Sequence, residues 1–131
     1  MGGIQSINKI SFQDMLYCVR NNEVIISVIN DTESCLIQGT LSFQHEEKKI
    51  NTLYTNGEFQ KPLIIYGYNA CDDNIAIKYK QLVELGFKKV YVYPGGIFEW
   101  LLLQDVYTNN NFKTTKIELN MLKYRPKNVF H

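Results

Sequence analysis

Lys89-Val90-Tyr91-Val92-Tyr93-Pro94-Gly95-Gly96-Ile97-Phe98-Glu99-Trp100 holds a strand, a tight turn and the opening of a helix in twelve consecutive residues. The β-branched and aromatic run from Lys89 to Tyr93 fits a pleated, buried strand. Pro94 ends it, and Gly95-Gly96 gives the backbone the freedom for a sharp turn. The apolar residues from Ile97 to Leu103 then read as a helix. Upstream, Leu63-Ile64-Ile65-Tyr66 is a second apolar strand, with Pro62 at its start where a missing N–H costs no ladder bond. Between the two strands, Asp73 or Asn74 caps a helix that carries Ile75, Tyr79, Leu82 and Leu85 inward, and Gly86 closes it. A strand, a helix and a second strand at these distances imply a right-handed crossover between parallel neighbours.

Further out, Val24-Ile25-Ile26-Ser27-Val28-Ile29 is continuous enough for a strand covered on both faces. Ser11 precedes Phe12, Met15, Leu16 and Val19 at helical spacing and reads as an N-cap; Asn21-Asn22 ends that helix. Gly39 to Phe43 suggests another short strand, and Glu46 to Tyr54 a weakly amphipathic helix that ends at the turn signal Asn56-Gly57. Beyond the polar break Asn109-Asn110-Asn111, Lys116 to Lys123 suggests one more short helix. The fold class is therefore α/β. A mainly parallel central sheet is expected from Val24–Ile29, Gly39–Phe43, Leu63–Tyr66 and Val90–Tyr93, with helices on both faces. Residues 1–8 form a flexible arm, residues 9–107 the domain, and residues 108–131 an extension packed on it or trailing from it.

The chain has 131 residues, enough for one domain with a true core. A formal charge of +1 gives no electrostatic case for nucleic acid. Cys18, Cys35 and Cys71 make neither a CxxC pair nor an even disulfide set, which fits a reducing, cytoplasmic setting. His45 and His131 have no companion at ligand spacing, so no metal and no cofactor is expected. Met1-Gly2-Gly3-Ile4-Gln5-Ser6 matches the acceptor pattern for N-myristoylation at Gly2. A single acyl chain with no basic patch beside it anchors weakly, so any membrane association is partial.

From Ile10 to Val106 the order of elements, Leu82-Val83-Glu84-Leu85-Gly86-Phe87, and Gly95-Gly96 followed by Glu99-Trp100 resemble a rhodanese-like domain. Leu101-Leu102-Leu103-Gln104-Asp105-Val106-Tyr107, Phe112-Lys113-Thr114-Thr115 and Leu122-Lys123-Tyr124-Arg125-Pro126 are similar to a divergent branch found in protists and large DNA viruses. The resemblance implies a three-layer fold. It also implies a loop after the Leu63–Tyr66 strand in which a cysteine thiolate would accept sulfane sulfur. That place is Gly67, which has no side chain to react. The family's Asp-Val-Arg unit is here Ser27-Val28-Ile29, and its Gly-His-Ile-Pro-Gly turn is Cys35-Leu36-Ile37-Gln38-Gly39.

Within the loop, Cys71 is the one remaining thiol, but Asp72 and Asp73 beside it disfavour a thiolate and an anionic sulfur donor. Residue Ala76 stands five after Cys71, so no Cys-x5-Arg phosphatase loop exists. Asp72 and Asp73 read as helix-capping carboxylates, Glu99 as a solvated or capping one, and Trp100 as core with its indole N–H bonded. Gly95-Gly96 reads as a close-packed turn more than as an anion site. Tyr66, Tyr68, Tyr91 and Tyr93 sit at strand ends, where core and pocket-lining roles look alike. The expected function is a catalytically degenerate domain acting as a binding or interaction module. Its binding loop is Gly67, Tyr68, Asn69, Ala70, Cys71, Asp72 and Asp73, and the partner at Gly67–Asn74 is an unspecified protein or small ligand. Two alternatives stand beside it: an atypical sulfurtransferase that carries a persulfide on Cys71, and a lipid-tethered structural or virion protein.

Overall fold

The computed structural model describes residues 7–29, 34–107 and 111–130. Three strands, β1 (Val24–Ser27), β2 (Leu63–Tyr66) and β3 (Val90–Val92), form a parallel sheet in the order β1-β2-β3. Val24 pairs with Leu63, and Leu63 in turn with Val90. Helices α1 (Phe12–Arg20), α2 (Phe43–Thr55), α3 (Asn74–Glu84) and α4 (Gly96–Tyr107) surround it, and a 3-10 turn spans Met121–Tyr124.

Side chains alternate along the strands and split the core in two. Ile25, Ile64 and Tyr66 face one side, where they meet Met15 of α1 and Ile97, Trp100 and Leu101 of α4. Val24, Ile26, Leu63, Ile65, Val90 and Val92 face the other, against Leu53 of α2 and Ile75, Tyr79 and Leu82 of α3. Helices thus cover both faces, as the continuous apolar strands require.

Several local signals act as read. The Ser11 hydroxyl accepts the Asp14 N–H, and the Asp14 carboxylate accepts the Ser11 N–H, a reciprocal cap that fixes the start of α1. Gly86 has φ of 110° just past α3. Trp100 is fully buried and its indole N–H donates to the Lys113 carbonyl at 3.0 Å.

The segment Gly39 to Phe43 is not a strand. Thr40 makes a single parallel bridge to Ile25, after which the Ser42 hydroxyl accepts the His45 N–H and starts α2 at Phe43. An N-cap three residues after a glycine at φ of 96° leaves too little extended backbone for a ladder. The Tyr66 hydroxyl fastens this segment instead: it accepts the Ile37 N–H at 3.0 Å and bonds the Thr40 hydroxyl at 2.6 Å. β1 also stops earlier than Ile29, because the Ser27 hydroxyl turns back to accept the Ile29 N–H at 3.0 Å. Helix α4 runs on to Tyr107, and the helix expected over Lys116 to Lys123 is only the 3-10 turn.

The termini are tied in at defined points. Asn8 accepts the Val92 N–H at 2.8 Å and Lys9 bridges to β3, covering its outer edge, while Ile7 packs against the α2/α3 face. In the C-terminal extension, Phe112 and Tyr124 are buried in the core beside α4, and Thr114 bridges to Ile37. Among the described residues no helix is long and apolar enough to cross a membrane.

Candidate functional site

The loop after β2 sits at the carboxyl end of the sheet, where open α/β folds place their ligands. Its backbone is held from both sides. The N–H groups of Ile97 and Phe98, at the start of α4, donate to the carbonyls of Gly67 and Tyr68, both at 3.0 Å. Gly96, at φ of 64°, lies so close to this loop that a Cβ there would stand 3.0 Å from the carbonyl carbon and oxygen of Tyr68. The first N–H groups of α4 are therefore spent on the loop, and the double glycine serves close approach rather than anion capture.

Inside the loop, the Asp72 carboxylate folds back over Gly67. One oxygen accepts the Tyr68 N–H at 3.0 Å and the other the Asn74 N–H at 3.1 Å. A Cβ built on Gly67 would lie 2.9 Å from the Asp72 carboxyl carbon and 3.0 Å from a Val28 methyl. The space a side chain at position 67 would use is already filled by the chain's own carboxylate. Asp73 occupies the N-cap position of α3 but its side chain makes no cap bond; Asp72 supplies it. Buried Asn69 accepts the Cys71 N–H at 2.8 Å and donates to the Tyr124 carbonyl at 2.9 Å, clamping the loop to the extension. The Tyr68 and Tyr124 rings stack over the same junction, 5.7 Å apart.

Cys71 is exposed at the loop's outer edge with Ala70 and Asp73. The other thiols are placed differently. Cys35 is buried, its Sγ 3.3 Å from the Lys116 carbonyl. Cys18 is half-buried, and burial, with Glu23 and Asp14 nearby, pushes its pKa up to about 11, so it stays a neutral thiol. Glu99 accepts a hydrogen bond of 2.7 Å from the Tyr93 hydroxyl, and burial with this carboxylate raises the Tyr93 pKa far above the ordinary tyrosine value. Tyr66 and Tyr93 are core residues, while Tyr68 and Tyr91 are half-buried. Among the described residues, no group of three or more His, Cys, Asp or Glu could hold a metal ion.

A second concavity was not read from the sequence. Between α2 and α3, at the carboxyl end of β1, a cleft of about 700 Å³ is lined by Val28, Leu36, Leu41, Phe43 and Ile77. At its floor the Lys78 ammonium pairs with Glu46 at 2.8 Å. Asn74 lines the cleft and also ends the loop, so the two form one continuous surface. The pair comes from residues 32 apart in sequence, and neither helix pattern announces it.

No protein-family model matches the chain. No curated protein matches either. Among solved structures, the Alr3790 protein from Anabaena sp. superposes with a TM-score of 0.56 at 15% identity, covering 87% of this chain and 97% of that one. A further structure, described as the Rhodanese_3-like domain of that protein, matches at a TM-score of 0.49 and 19% identity over 62% of this chain and 92% of its own. The fold is rhodanese-like. In this fold the loop after β2 lies at the carboxyl end of the sheet, and the side chain that fills it is Asp72. Gly2, the acylation candidate, lies outside the described residues.

Proposed function

We propose that the chain is a catalytically degenerate rhodanese-like domain that works as a binding or interaction module. The observation that carries this reading is the Asp72 carboxylate over Gly67, bonded to the Tyr68 and Asn74 N–H groups. A sulfur-accepting loop needs a thiolate in its centre and free N–H groups around it. Here the centre has no side chain of its own, and a fixed negative charge sits where an anionic donor would have to enter. The partner face of the module is the exposed rim of the loop, Ala70, Cys71 and Asp73, continued through Asn74 into the α2/α3 cleft.

Incubation of the purified protein with thiosulfate and then cyanide, followed by intact mass, tests this. No thiocyanate and no added sulfur are expected. A labile sulfur adduct on Cys71, lost in Cys71→Ser, would overturn the reading in favour of a persulfide carrier. A tether at Gly2 would place the same module at a membrane, a role supported by the Met1–Ser6 pattern. Incorporation of labelled myristate in the presence of a myristoyltransferase, lost in Gly2→Ala, is its expected signature, and no label on the parent chain would remove it.

A further inference from the structure

We infer that the α2/α3 cleft receives the C-terminal extension of a second copy of this chain. Exposed large apolar side chains lie on several helices, Tyr17 and Val106 among them, and two groups bear on the cleft. One is the cleft's own lining and rim, where Phe43 is 76% and Ile77 56% exposed. The other is the extension, where Ile117, Leu119, Val129 and Phe130 are each more than 80% exposed. Large apolar side chains left in water at both sites are complementary halves of one contact.

Charge fits the same pairing. Glu46 is 8% exposed and gives its Oε2 to Lys78, while its Oε1 has no hydrogen-bond partner among the described residues. That second oxygen is not closed off from solvent, so it is open to a further cation or N–H donor. The extension brings Arg125 and Lys127 immediately before Val129 and Phe130, both cations exposed. A cleft of about 700 Å³ lies in the range that encloses a ligand of drug size, roughly 300–1,000 Å³, which suits a short peptide segment. In this arrangement Val129 and Phe130 pack on Val28, Leu41 and Ile77, and Lys127 reaches Glu46.

Cleft and extension are different surfaces of one chain, so the contact is heterologous, with an acceptor end and a donor end on every copy. That property gives a sharp test. Sedimentation velocity of the full chain across a concentration series should show association that grows with concentration. Ile77→Lys, which sets a cation against Arg125 and Lys127, and Phe130→Asp should each be monomeric alone. Mixed, they should form a one-to-one dimer and nothing larger, because one intact cleft meets one intact extension. Glu46→Gln should raise the dissociation constant of the parent chain about tenfold. Ile77 and Phe130 are exposed, so both variants should keep the parent's melting temperature.

A parent chain that stays monomeric throughout would overturn the inference. So would association that persists in both variants, or a mixture that fails to dimerise. Crosslinks between Lys127 and Glu46 found only within single chains would overturn it as well, by placing the extension in its own cleft. The inference rests on the reading of the domain as a binding module, and the two can fail separately. A sulfur adduct on Cys71 removes that reading without touching self-association, whereas a monomer with no adduct leaves the module with a different partner.

Discussion

Gly67 and Asp72 behave as one unit: the smaller residue makes room and the larger one uses it. Gly67→Cys would place a new Cβ against the Asp72 carboxylate and the Val28 methyl. Overpacking of this kind costs about 1–3 kcal/mol. Thermal melts should therefore show a destabilised Gly67→Cys chain, still without sulfur transfer, and a Gly67→Cys/Asp72→Gly double variant that recovers part of the loss. Additive losses in the double variant would mean that the two side chains do not compete for one space. Gly96→Ala is a harsher change, because φ of 64° and the nearby Tyr68 carbonyl both oppose a side chain. A loss of about 2 kcal/mol or more is expected in chemical denaturation, together with faster hydrogen exchange at Ile97 and Phe98, whose N–H groups hold the loop.

At the scale of elements, Ser11→Ala removes one side of the reciprocal cap on α1 and should cost about 1 kcal/mol, with Asp14→Ala costing a similar amount. A double variant that loses much less than the sum would show that the two act through the same bonds. The Ser11 side of this cap was legible because its signal is local, a hydroxyl followed by apolar residues at helical spacing; the returning Asp14 carboxylate emerges only from the structure. The strands β1, β2 and β3 were legible for the same reason, since each is an unbroken apolar run between turn residues. Gly39–Phe43 misled because a short run with one glycine and two large apolar residues has no period to read. What decides it is the distant Tyr66 hydroxyl, which pins Ile37 and Thr40. The site divides likewise. That position 67 is a glycine and that two carboxylates follow Cys71 is plain in the sequence. That Asp72 turns inward to fill the loop, while Asp73 stays exposed, depends on backbone geometry that adjacent letters do not encode. The α2/α3 cleft, whose walls come from β1, α2, α3 and the segment before α2, had no sequence signal at all.

For the molecule as a whole, Tyr66 and Tyr93 make stability depend on alkali. Burial raises both pKa values; at Tyr66 hydrogen bonds from its neighbours partly offset the rise, and at Tyr93 the bond to Glu99 adds to it. The unfolded chain loses these protons near pH 10 while the folded chain retains them. The folded state then binds more protons, so the contribution is complete below pH 10 and falls as pH rises. Each group should steepen the decline by about 1.4 kcal/mol per pH unit above that point. Denaturant titrations should show it; Cys18 adds a similar slope between about pH 9 and 11, so Tyr93→Phe should roughly halve the slope only above about pH 11. An equal slope in both proteins would mean that Tyr93 ionises in the folded state.

Trp100, the one tryptophan of the chain, is enclosed by Tyr93 and Phe112, with its ring 5.1 Å from Phe112 and its N–H on the Lys113 carbonyl. Two of those three neighbours belong to the extension, not to the sheet. The indole is therefore an optical gauge of how firmly the extension is seated. Its emission should be blue-shifted and shielded from acrylamide in the native protein, and should move to the red as soon as residues near Phe112 lift away, before the parallel sheet itself gives way.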